Sequence, residues 1–206
     1  MKELTKQIAD RGDRILIAVN GLPLCGKTTV ADGIASTIDA DRITTSSALR
    51  ELKNPKVDYQ IDNGILVADE VVIDAIQRQL SEAECSVVII DGCFRTENQT
   101  RAIIANAHDS GFTLVVAIEV NVTYPTIRER FAKRGRKDDT LQKVAGRIRD
   151  YQKHALRTIL ALRDLTRYQY TINGDTQKES VLREALQNLE TAIQDHLDPY
   201  CVFAGR

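Results

Sequence analysis

The chain has 206 residues, 43% of them hydrophobic and 28% charged, with 28 Lys and Arg against 29 Asp and Glu. That length supports one domain with a sizeable core, and a net charge of −1 argues against a general binder of nucleic acid or anionic membrane. No apolar run approaches the roughly 20 residues of a membrane span. The N-terminal stretch MKELTKQIADRGD lacks the apolar core of a secretory signal. Four cysteines, Cys25, Cys85, Cys93 and Cys201, are scattered without a CxxC. Reduced thiols in a cytoplasm are the expectation, with neither a disulfide framework nor a structural zinc.

In chain order, β-branched apolar runs predict strands at Arg14–Asn20, Ser86–Asp91, Phe112–Val120 and Tyr168–Asn173. Helical spacing falls between and after them. After the first strand, TTVADGIASTI reads as a helix. Lys53 to Gly64 is polar, carries Pro55 and Gly64, and reads as a loop or small insert. Val67 to Leu80 repeats apolar residues at i, i+4, and Leu141–Leu165 and Thr176–Leu197 extend that pattern over longer spans. Lys133 to Asp139 is short, charged and centred on Gly135. Strands alternating with helices imply βαβ units, hence a parallel sheet covered by helices, with ligands expected at the C-terminal edge of the strands.

The strongest chemical signal is Gly21-Leu-Pro-Leu-Cys-Gly26-Lys27-Thr28, a full match to GxxxxGK[ST] between a predicted strand and a predicted helix. Glycines let successive N–H groups turn inward onto phosphate oxygens, and the helix start adds its positive end. Lys27 then reaches the outer phosphates, and Thr28 or Thr29 is placed to ligate Mg²⁺. Cys25 lies in this cationic surrounding, which predicts a lowered thiol pKa and easy oxidation. Asp91 closes a buried strand, where a carboxylate is costly unless a cation meets it. Residues 128–149 hold nine Lys or Arg against three acids. Beside a phosphate loop, such a cluster suits a clamp on a transferring phosphoryl group. His108, His154 and His196 have no neighbours at ligand spacing.

Taken together and in order, these segments resemble the adenylate kinase family of nucleoside monophosphate kinases, from about Ile15 to about Leu189. Pro23 stands where the family loop has its proline. RITTSSALR (Arg42–Arg50) is similar to the acceptor segment, which implies Thr45 and Arg50 on the acceptor phosphate. GILVADEVVIDAIQRQL implies Val67 near the acceptor base. DGCFRTENQ implies Gly92 and Arg95 at the acceptor phosphate and Gln99 on the adenine edge. Arg130 and Arg134 match the two arginines bordering the family's lid; Arg136 and Arg147 match the two beyond it. The resemblance implies a P-loop NTPase fold: a five-stranded parallel sheet flanked by helices, one kinase domain over 1–206. It implies an acceptor-binding insert at about 42–73 and a short lid, without zinc, at about 131–141. It implies reversible transfer from MgATP to AMP by a monomer with neither nucleic-acid nor membrane partner. On it, Lys27, Arg95, Arg130, Arg136 and Arg147 are the catalytic set. Gly21, Pro23, Cys25, Gly26, Lys27, Thr28, Thr29, Arg130 and Arg134 hold ATP, and Thr28 and Asp91 hold the metal.

The chain also departs from that family. Ser46-Ser47 stand for Gly-Asp, Leu24 and Thr28 for loop glycines, and Cys93-Phe94 for Phe-Pro. The last change leaves two alternatives: a trans peptide that re-aims Arg95, or a strained cis bond costing about 3 kcal/mol. Most departures fall on the acceptor side. A UMP or CMP kinase, or a nucleotide-binding sensor that has lost transfer, therefore stand as alternatives.

Overall fold

The computed structural model describes residues 1–134 and 140–198, with the side chain of Arg134 outside the description. Residues 135–139 at the centre of the expected lid, Arg136 among them, and Cys201 lie outside the described residues as well. Five strands form one sheet: β1 Ile15–Gly21, β2 Asp41–Thr44, β3 Val87–Asp91, β4 Leu114–Asn121 and β5 Tyr168–Asn173. Their order is β2-β3-β1-β4-β5, and every pair is parallel. The described helices are α1 Lys2–Asp10, α2 Lys27–Thr37, α3 Thr45–Glu51, α4 Pro55–Asn63, α5 Asp69–Glu82, α6 Glu97–Asp109, α7 Tyr124–Arg134, α8 Leu141–Leu165 and α9 Lys178–Leu197. None of them is long and apolar enough to cross a membrane.

Burial on both faces explains the continuous apolar runs of the strands. Ile15, Ile17 and Val19 of β1 point to one side, with Ile89 of β3 and Val116 and Ile118 of β4. There they meet Val30 and Ile34 of α2, Leu189 and Ile193 of α9, and Ile8 of α1. Leu16 and Ala18 point to the other side, with Val88 and Ile90, against Ile76 and Leu80 of α5, Ile103 and Ile104 of α6, and Leu162 of α8. Each helix therefore needs only one apolar stripe, and the sequence shows that stripe for α5, α8 and α9.

Three segments differ from expectation. β2 is a strand that no apolar run announces, because it lies at the sheet edge and only Ile43 is buried. Residues 53–64 are not a loop: α4 fills them. Asn54 caps it by accepting from the Lys56 N–H at 3.0 Å, Pro55 opens it, and Gly64, at φ 67°, closes it. The two supposed breakers are its start and stop signals. α1 is a helix whose Ile8 is fully buried, at a terminus that the sequence describes only by what it lacks.

β1 lies between β3 and β4; the crossover that leaves β1 (α2) packs on one face of the sheet and the crossover that leaves β3 (α6) packs on the other. The crevice beyond the C-terminal end of β1 is therefore where a ligand fits. Register brings Asp91 level with Val19, so the end of β3 stands beside the loop that follows β1.

Candidate active site

The loop from Gly21 to Thr28 is shaped by its backbone. Gly21 has φ 141°, and a Cβ there would sit 2.5 Å from the Val120 carbonyl oxygen and 2.7 Å from Cys25 Sγ. Gly26, at φ 96°, begins α2. Leu24 has φ 69°, so it holds the left-handed conformation of the glycine it replaces, at a cost of about 1–2 kcal/mol. Arg130 of α7 ties the loop down. Its Nη1 donates to the carbonyls of Leu24 (3.2 Å) and Cys25 (2.5 Å), and its Nη2 to that of Gly174 (2.5 Å). Lys27 Nζ donates to the Leu22 carbonyl at 3.4 Å and its stem lies against Gly92.

The Cys25 expectation is overturned. The thiol is buried, and desolvation, the largest influence on it, pushes its pKa up. Lys27 and Arg130 pull the other way and lose. A cationic neighbourhood read from sequence does not reveal that the side chain turns inward against Gly21.

Asp91 is 7% exposed. Its Oδ2 accepts from Thr28 Oγ1 at 2.7 Å and from Arg42 Nη2 at 3.0 Å. Its Oδ1 is buried with no hydrogen-bond partner among the described residues. A buried carboxylate oxygen left open beside a threonine hydroxyl, at a phosphate loop, is the hard-oxygen donor set that Mg²⁺ takes. The residues present fit that ion.

On the acceptor side, Ser46-Ser47 proves to be a local substitution with its own capping logic. Thr44 Oγ1 accepts from the Ser47 N–H at 3.0 Å while Ser47 Oγ accepts from the Thr44 N–H at 3.2 Å, a capping box that starts α3. Thr45 is buried and donates to the Gly92 carbonyl at 3.1 Å. The Cys93–Phe94 peptide is trans, and Phe94 is buried. Arg95 Nε donates to the Gly92 carbonyl at 3.3 Å. Arg95 is exposed along the cleft, yet the surrounding walls desolvate its head, and with the like charge of Arg147 this lowers its pKa. Arg95, Arg147 and Asp150 line one cavity.

Other acceptor residues lie elsewhere. Gln99 is 1% exposed: its Nε2 donates to Asp69 Oδ1 at 2.8 Å, and its Oε1 accepts from the Arg95 N–H at 3.2 Å. It stands as a strut between α5 and the Arg95 segment. Val67 is buried. Arg50 faces α4, with Nη2 2.6 Å from Asp62 Oδ1 and Nη1 3.6 Å from Asp58 Oδ1.

Two cavities adjoin at the loop. One, of about 170 Å³, is bordered by Gly21, Pro23, Lys27, Gly92, Arg95 and Arg147. The other, of about 680 Å³, is bordered by Cys25, Gly26, Thr28, Thr29 and Arg130, and on its far wall by Gly174, Thr176 and Lys178. The far wall was missed from sequence, although it follows β5 directly at the sheet edge where ligands are expected. Arg42, Asp69 and Asp150, the last also lining the smaller cavity, were missed too. None of them sits in a segment that chemistry alone singles out.

Comparison with known proteins agrees with this arrangement. A family model described as adenylate kinase matches residues 19–166. An adenylate kinase of Nautilia profundicola is 32% identical over 197 residues, covering 87% of this chain and 96% of that protein. Adenylate kinase 1 of a Nostoc species is 28% identical over 171 residues, covering 80% and 92%. The crystal structure of an unliganded sugar kinase from a Janibacter species superposes with a TM-score of 0.63 at 17% identity, covering 88% of this chain and 97% of that one. That likeness concerns the fold alone. With a family match running from the phosphate loop to the end of α8, and relatives aligned over nearly their whole length, the chain belongs to the adenylate kinase family of nucleoside monophosphate kinases, phosphotransferases whose acceptor is a phosphate group.

Proposed function

We propose that the chain transfers the terminal phosphoryl group of ATP reversibly to AMP, giving two ADP, with Mg²⁺ as cofactor. The observation that carries this is the meeting of Lys27, Arg95 and Arg147 around one cavity that adjoins a larger cleft on the same loop. In this reading the larger cleft takes the donor and the smaller cavity takes the two phosphates between which transfer occurs. Inward N–H groups of the loop and the start of α2 hold the donor phosphates. Thr28 and Asp91 would hold Mg²⁺, which when bound neutralises phosphate charge. Arg95 and Arg147 orient the acceptor phosphate. An oxygen of that phosphate forms the new bond to phosphorus as the bond to the leaving ADP oxygen breaks, and Lys27 meets the charge that spreads over the moving group. No general base enters, because the attacking oxygen is already ionised. The chain's work is positioning and exclusion of water. Arg130 supports the donor loop, and the family resemblance assigns Arg134 to ATP and Arg136 to the acceptor.

The choice of AMP rests on Thr45 and Gln99. Gln99 acts on the acceptor site by bracing Arg95, and it reads adenine only by exchanging Asp69 for the base edge. The test is direct. Purified protein is incubated with MgATP and, separately, AMP, UMP, CMP, GMP or dTMP, and ADP is followed. Turnover with AMP alone is expected. Turnover with a pyrimidine acceptor assigns the base differently, and nucleotide binding without any turnover overturns transfer altogether. Lys27→Met is expected to lower turnover by about 10³-fold while the fold, read by circular dichroism, is kept.

A further inference from the structure

Arg42, on β2, has no part in the mechanism above, yet it grips the metal carboxylate. Its Nη2 lies 3.0 Å from Asp91 Oδ2 and its Nη1 lies 2.7 Å from Asp32 Oδ1. The two carboxylates differ in surroundings. The side chain of Asp91 is 5% exposed and that of Asp32 is 57% exposed. Asp32 stands four residues after Thr28 on α2, so the metal-side hydroxyl and this second carboxylate share one helix face. Asp91 thus carries a guanidinium and a hydroxyl on one oxygen and no hydrogen-bond partner, among the described residues, on the other. A divalent cation on the open oxygen and a guanidinium on its twin are two positive charges on one buried negative charge, and each weakens the other. The guanidinium already touches an alternative anion, and that anion is in water.

From this juxtaposition we propose that Arg42 is a positioning residue that sets the cation affinity of Asp91, with Asp32 as its counterweight. Arg42 keeps the buried carboxylate satisfied and aimed when no divalent ion is bound. Asp32 draws the guanidinium off Asp91 when one is. The pair therefore makes metal affinity lower than the loop alone would give, and makes the buried carboxylate tolerable in the absence of metal. The inference deepens the donor-site reading and rests on it.

The experiment titrates Mn²⁺ into the full chain saturated with a non-hydrolysable ATP analogue and follows free Mn²⁺ by electron paramagnetic resonance. Arg42→Gln is expected to tighten Mn²⁺ binding roughly tenfold by removing a competing unit charge. Asp32→Asn is expected to weaken it about threefold in the native background and to leave it unchanged beside Arg42→Gln, because without the arginine there is nothing to draw away. Non-additivity separates this device from a general field effect, in which Asp32→Asn would act equally in both backgrounds. In metal-free buffer, Arg42→Gln melts at lower temperature than the native chain, and saturating Mn²⁺ narrows the gap. Should Arg42→Gln fail to fold, Arg42→Met, which also removes the charge but keeps a long stem, is expected to tighten Mn²⁺ binding to a similar extent. Native affinity in every folded Arg42 variant, or additive effects in the double variant, overturns the proposal. Failure of the native chain itself to bind Mn²⁺ with the analogue overturns the donor-site reading instead.

Discussion

Single side chains in this site are decided by burial more than by the charges around them. Cys25 sits between Lys27 and Arg130 and still has a raised pKa, because desolvation dominates. Two consequences can be measured. In the native chain at neutral pH, iodoacetamide is expected to modify partly exposed Cys85 before Cys25 or Cys93, which react only on unfolding; peptide mass spectrometry reads the order. Stability follows the same protons. The raised folded values of the buried thiols mean the native state keeps protons that the unfolded chain releases above about pH 8.5. Their contribution is intact below that pH and is lost as pH rises beyond it, so urea midpoints are expected to fall on the alkaline side. Saturating MgATP, which covers the loop, is expected to protect Cys25 further.

Among the elements, α4 holds the point of most interest. Arg50, the arginine that the resemblance puts on the acceptor phosphate, is engaged by Asp58 and Asp62 of α4. An exposed pair of this kind contributes at most about 1 kcal/mol. Asp62→Asn is therefore expected to lower the acceptor KM by up to about fivefold with kcat little changed, measured by steady-state ADP release at fixed MgATP. The same helix shows what the sequence can and cannot reveal. Pro55 and Gly64 are breakers in a window with little apolar periodicity, and only the Asn54 cap tells a helix from a loop. β2 is hidden because an edge strand needs just one buried residue. By contrast β1, β3 and β4 were legible within a residue or two, since burial on both faces demands unbroken apolar runs; β5, the other edge strand, was legible from the β-branched and aromatic residues of YQYTIN. The loop, Asp91 and Lys27 were legible because phosphate binding fixes spacing along the chain. Arg42, Asp69 and the Gly174–Lys178 wall were not, because their roles come from contacts across 30 to 49 residues, which local pattern does not carry.

For the whole molecule, stability and chemistry are placed at opposite ends of the sheet. The site gathers at the C-terminal edge, while α1 closes the far end. Ile8 is fully buried, Arg11 donates to the Leu197 carbonyl at 3.0 Å, and His196 lies 3.5 Å from Asp13. This seam joins the two ends of the chain and falls outside residues 19–166 that match the family model. Ile8→Ala is expected to destabilise the fold by about 2–4 kcal/mol in urea titrations. Turnover per folded molecule is expected to stay unchanged at low temperature. A loss of specific activity without loss of stability would place α1 in the chemistry instead.

The fastening of the loop by Arg130 bears on how such a protein drifts over generations. All three oxygens it gathers belong to the main chain, so the side chain at position 24 can be exchanged without releasing any of them. A leucine has been admitted there, in a conformation usually reserved for glycine, and the enclosure keeps its shape. Natural variety should therefore accumulate at position 24 sooner than at position 130, where one replacement would release three carbonyls on two segments of chain together.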